Sequence, residues 1–202
     1  YGGTTLSQLT DADAGLSPGG NISIRLTTLD GRQTAVLSDN STLTVANDPV
    51  AGRKWAALVA REITGTKGQY RVWGSTVAKC PNAAKTPEES GFVQVVDVSP
   101  TANFSTTLST DPTASVVPND MVGLCEPAGS VRYYRGTIAA VNGTDGENRT
   151  INTLRVDEYL RGVVPRESPA AWGDLANGAG MNALRAEAVA ARSYALSSNG
   201  YS

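Results

Sequence analysis

The chain has 202 residues, with 17 basic against 19 acidic side chains, no histidine and 18% charged residues. That charge fraction is below the roughly 25% usual in globular proteins, and the slightly negative balance excludes the basic footprint of nucleic-acid binding. Without histidine the chain cannot build a Ser-His-Asp triad, a Cys-His pair or a histidine-ligated metal site of its own. No run approaches the roughly 20 apolar residues that span a bilayer, so no transmembrane segment is expected. With 40% hydrophobic residues the chain can bury a core as one domain, or as one domain plus an insertion.

In chain order, residues 22–26, 35–37 and 43–45 alternate as short β-type runs, separated by turn chemistry at Asp30-Gly31 and Asp39-Asn40. Residues 70–73 and 92–96 continue the pattern, with a loop after Cys80 punctuated by Pro81, Pro87 and Gly91. From Ser99 to Asp120 the composition drifts to Ser, Thr, Pro and Asn, which predicts an exposed, irregular connection pinned at its far end by Cys125. The two cysteines, Cys80 and Cys125, are too distant in sequence for a CxxC redox motif and too few for a structural zinc site. They read either as one disulfide, which implies an oxidising compartment, or as two buried thiols.

Residues 131–138 and 150–154 flank a loop with Asn142-Gly143 and Asp145-Gly146, and predict a hairpin. Asp157 is placed to cap a short helix through Tyr159, Leu160 and Val163 that Gly162 weakens and Pro165 ends. Pro169 opens a turn toward Trp172, and Gly178-Ala179-Gly180 marks a break. Residues 181–198 are then helical, with Met181, Leu184, Ala188, Ala191 and Ala195 on one face. The fold class is α+β: an antiparallel β-rich N-terminal portion and a helix-bearing C-terminal portion that holds the cleft. Five Asn-x-Ser/Thr sequons, at Asn21, Asn40, Asn103, Asn142 and Asn148, are what chance produces in a chain so rich in these residues.

Glu167, between Pro165 and Pro169 and shortly before Trp172, is the candidate for chemistry. The prolines stiffen its backbone, and burial against Val164 and Trp172 would raise its pKa, as a general acid at neutral pH requires. The competing reading is a structural ion pair with Arg161, Arg166 or Arg192.

Residues 131–196 resemble the catalytic domain of stage II sporulation protein D and the related amidase-enhancer (LytB) proteins, here the SpoIID family. The residues that carry the resemblance are Asn152-Thr153-Leu154, then Tyr159-Leu160-Arg161-Gly162-Val163-Val164-Pro165-Arg166-Glu167, then Trp172. The run from Leu184 through Ala188-Val189-Ala190-Ala191-Arg192 to Tyr194 completes it, and Tyr133-Tyr134-Arg135-Gly136 extends it upstream. The segment Tyr1-Gly2-Gly3-Thr4-Thr5-Leu6 resembles one that follows a Gly-His-Gly element in actinobacterial members.

The resemblance implies a secreted or cell-envelope lytic transglycosylase. It would cleave the N-acetylmuramic acid to N-acetylglucosamine bond of peptidoglycan and leave 1,6-anhydro ends, with Glu167 as the catalytic glutamate. A single carboxylate suffices because the sugar's own 6-hydroxyl attacks, where ordinary glycosidases need a second carboxylate. Arg192 is implied as a residue holding Glu167 or a substrate carboxylate, and Tyr159, Trp172 and Tyr194 as sugar-stacking candidates with core packing as their alternative. Glu187 stands where the family commonly has Gln and is expected to lie off the face of Leu184 and Ala188.

Family members continue into a Cys-Asp-Thr segment with nearby His and Cys and carry a Gly-His-Gly element, which this sequence lacks. The chain is therefore expected to be a piece cut on both sides. Residues 1–20 would be a fragment of the SpoIID-like domain, 21–128 a β-rich inserted or accessory domain, and 129–202 the catalytic core. No cofactor is expected from this chain, although missing flanks could supply a metal. The expected partners are peptidoglycan glycan strands and, under the alternative function, a cell-wall amidase. A non-catalytic peptidoglycan-binding enhancer of such an amidase is the alternative function; a fully exposed Glu167 would favour it, and a partly buried one beside a sugar-sized groove would favour the enzyme. A β-rich extracellular adhesion module is a third reading that leaves the motif unexplained.

Overall fold

The structure, a computed structural model, describes residues 20–39, 42–106 and 121–198. Its strands are β1 (Asn21–Arg25), β2 (Thr34–Leu37), β3 (Leu43–Val45), β4 (Ala57–Glu62), β5 (Tyr70–Ser75), β6 (Val93–Val98), β7 (Thr101–Thr106), β8 (Val122–Cys125), β9 (Val131–Tyr134), β10 (Thr137–Asn142) and β11 (Asn148–Arg155). Two helices follow, α1 (Val156–Glu167) and α2 (Met181–Ser198). The fold is α+β, as expected. One sheet has the order β1-β11-β10-β7-β3 and the other β6-β5-β4-β2-β8-β9. The described residues divide into two compact units, one of residues 24–153 and a second of residues 154–198 with residues 20–23.

The β unit is organised by the two-residue alternation of its strands. In β4, Leu58 and Ala60 join Val36, Phe104 and Ile138 in a cluster fed by both sheets. Ala57 and Val59 point the other way, into a second cluster with Ala35, Leu37, Trp73 and Phe92. Strands β2 and β4 are thus covered on both faces, which accounts for their nearly continuous apolar sequence. The second cluster is roofed from the loop that follows β5. There the Trp73 indole donates to Glu88 at 2.6 Å and the Lys79 ammonium to the Ser90 carbonyl at 2.6 Å. Cys80 and Cys125 form a disulfide with Cα atoms 5.7 Å apart, tying this loop to the end of β8.

Glycine is required at one packed position of this unit. A Cβ on Gly74 would lie 2.5 Å from the Trp55 ring, so β5 passes directly under that indole.

Two expectations are corrected here. The run 131–138 is not one strand: Gly136, at φ +77°, turns the chain between β9 of the six-stranded sheet and β10 of the five-stranded one. The hairpin itself forms between β10 and β11, with Asn142 opposite Asn148. The stretch read as an irregular connection from Ser99 begins with β7, which pairs with both β10 and β3 and fully buries Ala102 and Phe104. Thr101, Asn103 and Ser105 sit on the alternate positions of a central strand, while Thr106 is buried on the side of Ala102 and Phe104, so average composition hides the two apolar positions that matter. The rest of that stretch, residues 107–120, and the Tyr1–Leu6 segment lie outside the described residues.

Polar contacts lock the β10–β11 loop. Arg149, nearly buried, pairs with Glu147 at 2.9 Å and with Asp145, and lies 3.7 Å from Asp30. The Asn148 side-chain amide donates to the Arg32 carbonyl and to the Thr34 hydroxyl, and Thr34 shares a 2.7 Å hydrogen bond with Thr150.

Candidate functional site

The segment that carries Glu167 is α1. Its first amide, on Val156, donates to the Gly20 carbonyl at 3.0 Å, so the helix is entered from Arg155 without a side-chain cap. This corrects the expectation that Asp157 is the cap: Asp157 and Glu158 lie within the first turn, where carboxylates complement the helix dipole. Pro165 does not end the helix either. It lies inside the last turn, where it gives up the N–H that would bond the Arg161 carbonyl, and the Ser168 N–H closes the end on the Val164 carbonyl at 2.9 Å. Val156 and Leu160 are the buried residues of α1.

Beyond α1, Pro169 leads into a 3-10 turn, Ala170–Asp174, as the turn signal predicts. Ala176, Asn177 and Gly178 all adopt positive φ, which reverses the chain toward α2. Glycine is obligatory at position 180, where a Cβ would lie 1.8 Å from the Trp172 carbonyl oxygen. Helix α2 packs on both α1 and the 3-10 turn. Its covered side runs through Leu184, Ala188, Ala191 and Ala195, with Ala195 buried. Met181, expected on this face, is 42% exposed at the helix start. Glu187, expected off the face, is half-buried, because it is one helical turn from both Leu184 and Ala191.

The predicted site residues separate into two groups. Glu167 ends α1, is exposed, and has no side-chain hydrogen bond or ion pair among the described residues. The desolvation expected from Val164 and Trp172 is not in place: Val164 is half-buried and Trp172 is 46% exposed. Tyr194 is 74% exposed and Tyr159 half-buried, so core packing accounts for neither Trp172 nor Tyr194. Arg192 is half-buried and binds Asp157 at 2.5 Å; Asp157 also lies 3.9 Å from Arg155. Asp157 and Glu167 are separated by ten residues of α1, about 15 Å along its axis. Arg192 therefore does not hold Glu167, which corrects that part of the expectation. Of the other two candidate partners, Arg161 pairs instead with Glu158 at 3.3 Å, and Arg166 makes no ion pair with Glu167 among the described residues. Asp157 as the partner of Arg192 was missed, since the two are 35 positions apart and only the packing of α1 on α2 joins them.

Among the described residues no three His, Cys, Asp or Glu side chains gather into a metal site, and no helix is long and apolar enough to cross a membrane.

Residues 139–202, about a third of the chain, match the family model of SpoIID, stage II sporulation protein, and this segment is SpoIID-family sequence. No curated protein and no solved structure matches the chain. The family match and the disulfide both fit an extracytoplasmic protein.

Proposed function

We propose that this protein acts on bacterial peptidoglycan as a lytic transglycosylase, with Glu167 as its one catalytic carboxylate. The observation that carries the reading is the SpoIID match over 139–202, which contains Glu167, Trp172, Arg192 and Tyr194. Glu167 in its acid form gives its proton to the glycosidic oxygen between N-acetylmuramic acid and N-acetylglucosamine, and the C1–O bond breaks. The muramoyl 6-hydroxyl then attacks C1 and returns its proton to the carboxylate, so water is not consumed and Glu167 is regenerated. A glycan strand stacked on the exposed Trp172 and Tyr194 would itself cover Glu167 and exclude water from it. Arg192 positions α1 through Asp157.

The domain reading belongs to the same proposal: the strand-rich stretch 21–128 serves as an accessory unit to a SpoIID-like core. One observation favours the second reading, a non-catalytic enhancer that binds peptidoglycan or a cell-wall amidase, namely the exposure of Glu167.

The test is mass spectrometry of purified glycan strands, with and without stem peptides, incubated with the full-length protein and with Glu167→Gln. Anhydro-muramoyl ends formed only by the unmutated protein support the enzyme. Strand binding or amidase stimulation by both proteins, with no anhydro ends, replaces it with the enhancer.

A further inference from the structure

The β unit contains an open groove of about 780 Å³ that Glu167 does not line. It lies where β2 and β8 part. Strand β2 pairs with β4 along its whole length, Thr34 to Leu37, but with β8 only at Val36 and Leu37. Beyond that point the chain entering β2, residues 31–33, faces residues 125–127 across the opening, and residues 80–83 form a further wall. The disulfide between Cys80 and Cys125 fixes two of these walls together. A volume of this size takes an organic ligand of two or three amino-acid or sugar residues.

Two of the three carboxylates that line the groove have a cation: Glu147 lies 2.9 Å from Arg149, which it shares with Asp145, and Glu126 is held by Arg132 at 3.1 Å. Glu62 accepts from the Asn142 amide and the Gly68 N–H, leaving its negative charge without a cation. Against it stand two guanidiniums. Arg61 is bound to neutral oxygens, those of Gln33 and the Lys85 carbonyl. Arg32 is exposed and, among the described residues, has no side-chain hydrogen bond or ion pair. The side-chain amide donors of Gln33 and Asn82 are likewise uncommitted, since each of these residues uses only its oxygen, toward Arg61 and the Ala84 N–H respectively. A planar guanidinium beside two amide donors matches the lone pairs of a carboxylate. The backbone and disulfide surfaces around them suit the body of a small peptide or sugar.

We propose that this groove is a second binding site, for a carboxylate-bearing ligand, with Arg32 as the anion-binding residue. The proposal does not depend on Glu167 being catalytic. A carboxylate of this kind is carried either by a peptide C-terminus or by a sugar acid.

The test is titration of the isotope-labelled full chain, followed by backbone NMR shifts, with two matched pairs: trialanine against its C-terminal amide, and N-acetylmuramic acid against N-acetylglucosamine. The expected result is saturable shifts at the groove with at least one acid and none with its neutral counterpart. Arg32→Gln weakens that binding tenfold or more, and Arg32→Lys, which keeps the charge but not the fork, weakens it less. Whichever acid binds identifies the source, peptide or sugar. Arg32 is exposed, so both variants keep the parent spectrum away from the site. Equal binding of acid and neutral partners, binding unaltered in Arg32→Gln, shifts elsewhere than the groove, or no saturable shifts at about 10 mM, enough to detect a roughly millimolar affinity, overturns the proposal.

Discussion

Arg192 of α2 closes on Asp157 in the first turn of α1 at 2.5 Å, while Glu167 stands at the opposite end of the same helix. The arginine that looks like a substrate ligand in the sequence therefore joins two helices, and the candidate acid faces solvent. This separation divides the expected effects of mutation into those on stability and those on chemistry.

Breaking the clamp should cost stability modestly. Asp157 is 45% exposed and Arg192 26%, so solvent screening limits the pair to about 1 kcal/mol or less. Asp157→Asn and Arg192→Gln should each lower the unfolding free energy by that amount, and the double variant by less than the sum. A double-mutant cycle from urea denaturation measures the coupling; strict additivity would show that the two side chains do not interact.

Glu167→Gln should behave in the opposite way. Its side chain is exposed and without a partner among the described residues, so the unfolding midpoint should move by less than about 0.5 kcal/mol equivalent. Formation of anhydro ends should nevertheless vanish. A large loss of stability in this variant would mean that Glu167 is structural.

Two glycines of the helical unit predict opposite signs. Gly162 lies inside α1 with open space around it, so Gly162→Ala should stabilise by about 0.5–1 kcal/mol through reduced backbone freedom in the unfolded chain. Gly180→Ala would drive a methyl into the Trp172 carbonyl and should destabilise by about 1–3 kcal/mol. Thermal unfolding of the two variants separates them by sign.

Asp48 predicts an acid-sensitive contribution in the β unit. Burial favours its neutral form, but hydrogen bonds from Arg53, the Val50 N–H and the Trp55 indole outweigh burial and hold its pKa below the ordinary 3.8. A depressed folded-state pKa stabilises the fold fully above the unfolded value, and this contribution is lost as pH falls below it. Asp48→Asn should therefore lose stability at neutral pH and show a shallower decline below about pH 3.8. An unchanged slope in the acid limb of an unfolding series would contradict this.

Reduction of the Cys80–Cys125 bond, which closes a loop of 45 positions, should destabilise the β unit by about 4 kcal/mol on the loop-entropy scale. Denaturation with and without reductant checks the value, and the loop roofing Trp73 and Phe92 should gain hydrogen exchange first.

Strand β1, which alternates, strands β2 and β5, short β-branched or aromatic runs close to turn residues, and the β10–β11 turn were legible in the sequence. Strand β7 was not, since only Ala102 and Phe104 among its residues report its central place in the sheet. Strand β4 went unnoticed because it is covered on both faces and lacks alternation. In the helical unit, the local signals found the helix, the turn at Pro169 and the carboxylate. The partner of Arg192 was invisible, as the pairing is created by packing rather than by spacing, and Glu187 shows how a one-residue misreading of a helix face exchanges covered and open positions.

The burial of Asn148 bears on how the protein can be produced. The side-chain nitrogen that would accept an oligosaccharide is only 8% exposed with its residue and is already spent on Arg32 and Thr34; that of Asn142 is bonded to Glu62 at 2.7 Å. In a eukaryotic secretory host, transferases meet the chain before it folds, and a glycan added at either asparagine would leave a product unable to close the β10–β11 turn. Secretion by a bacterial host, or Thr150→Val and Thr144→Ala changes that erase the acceptor motifs, would avoid that trap, the second at the cost of no hydrogen bond to Asn142 itself.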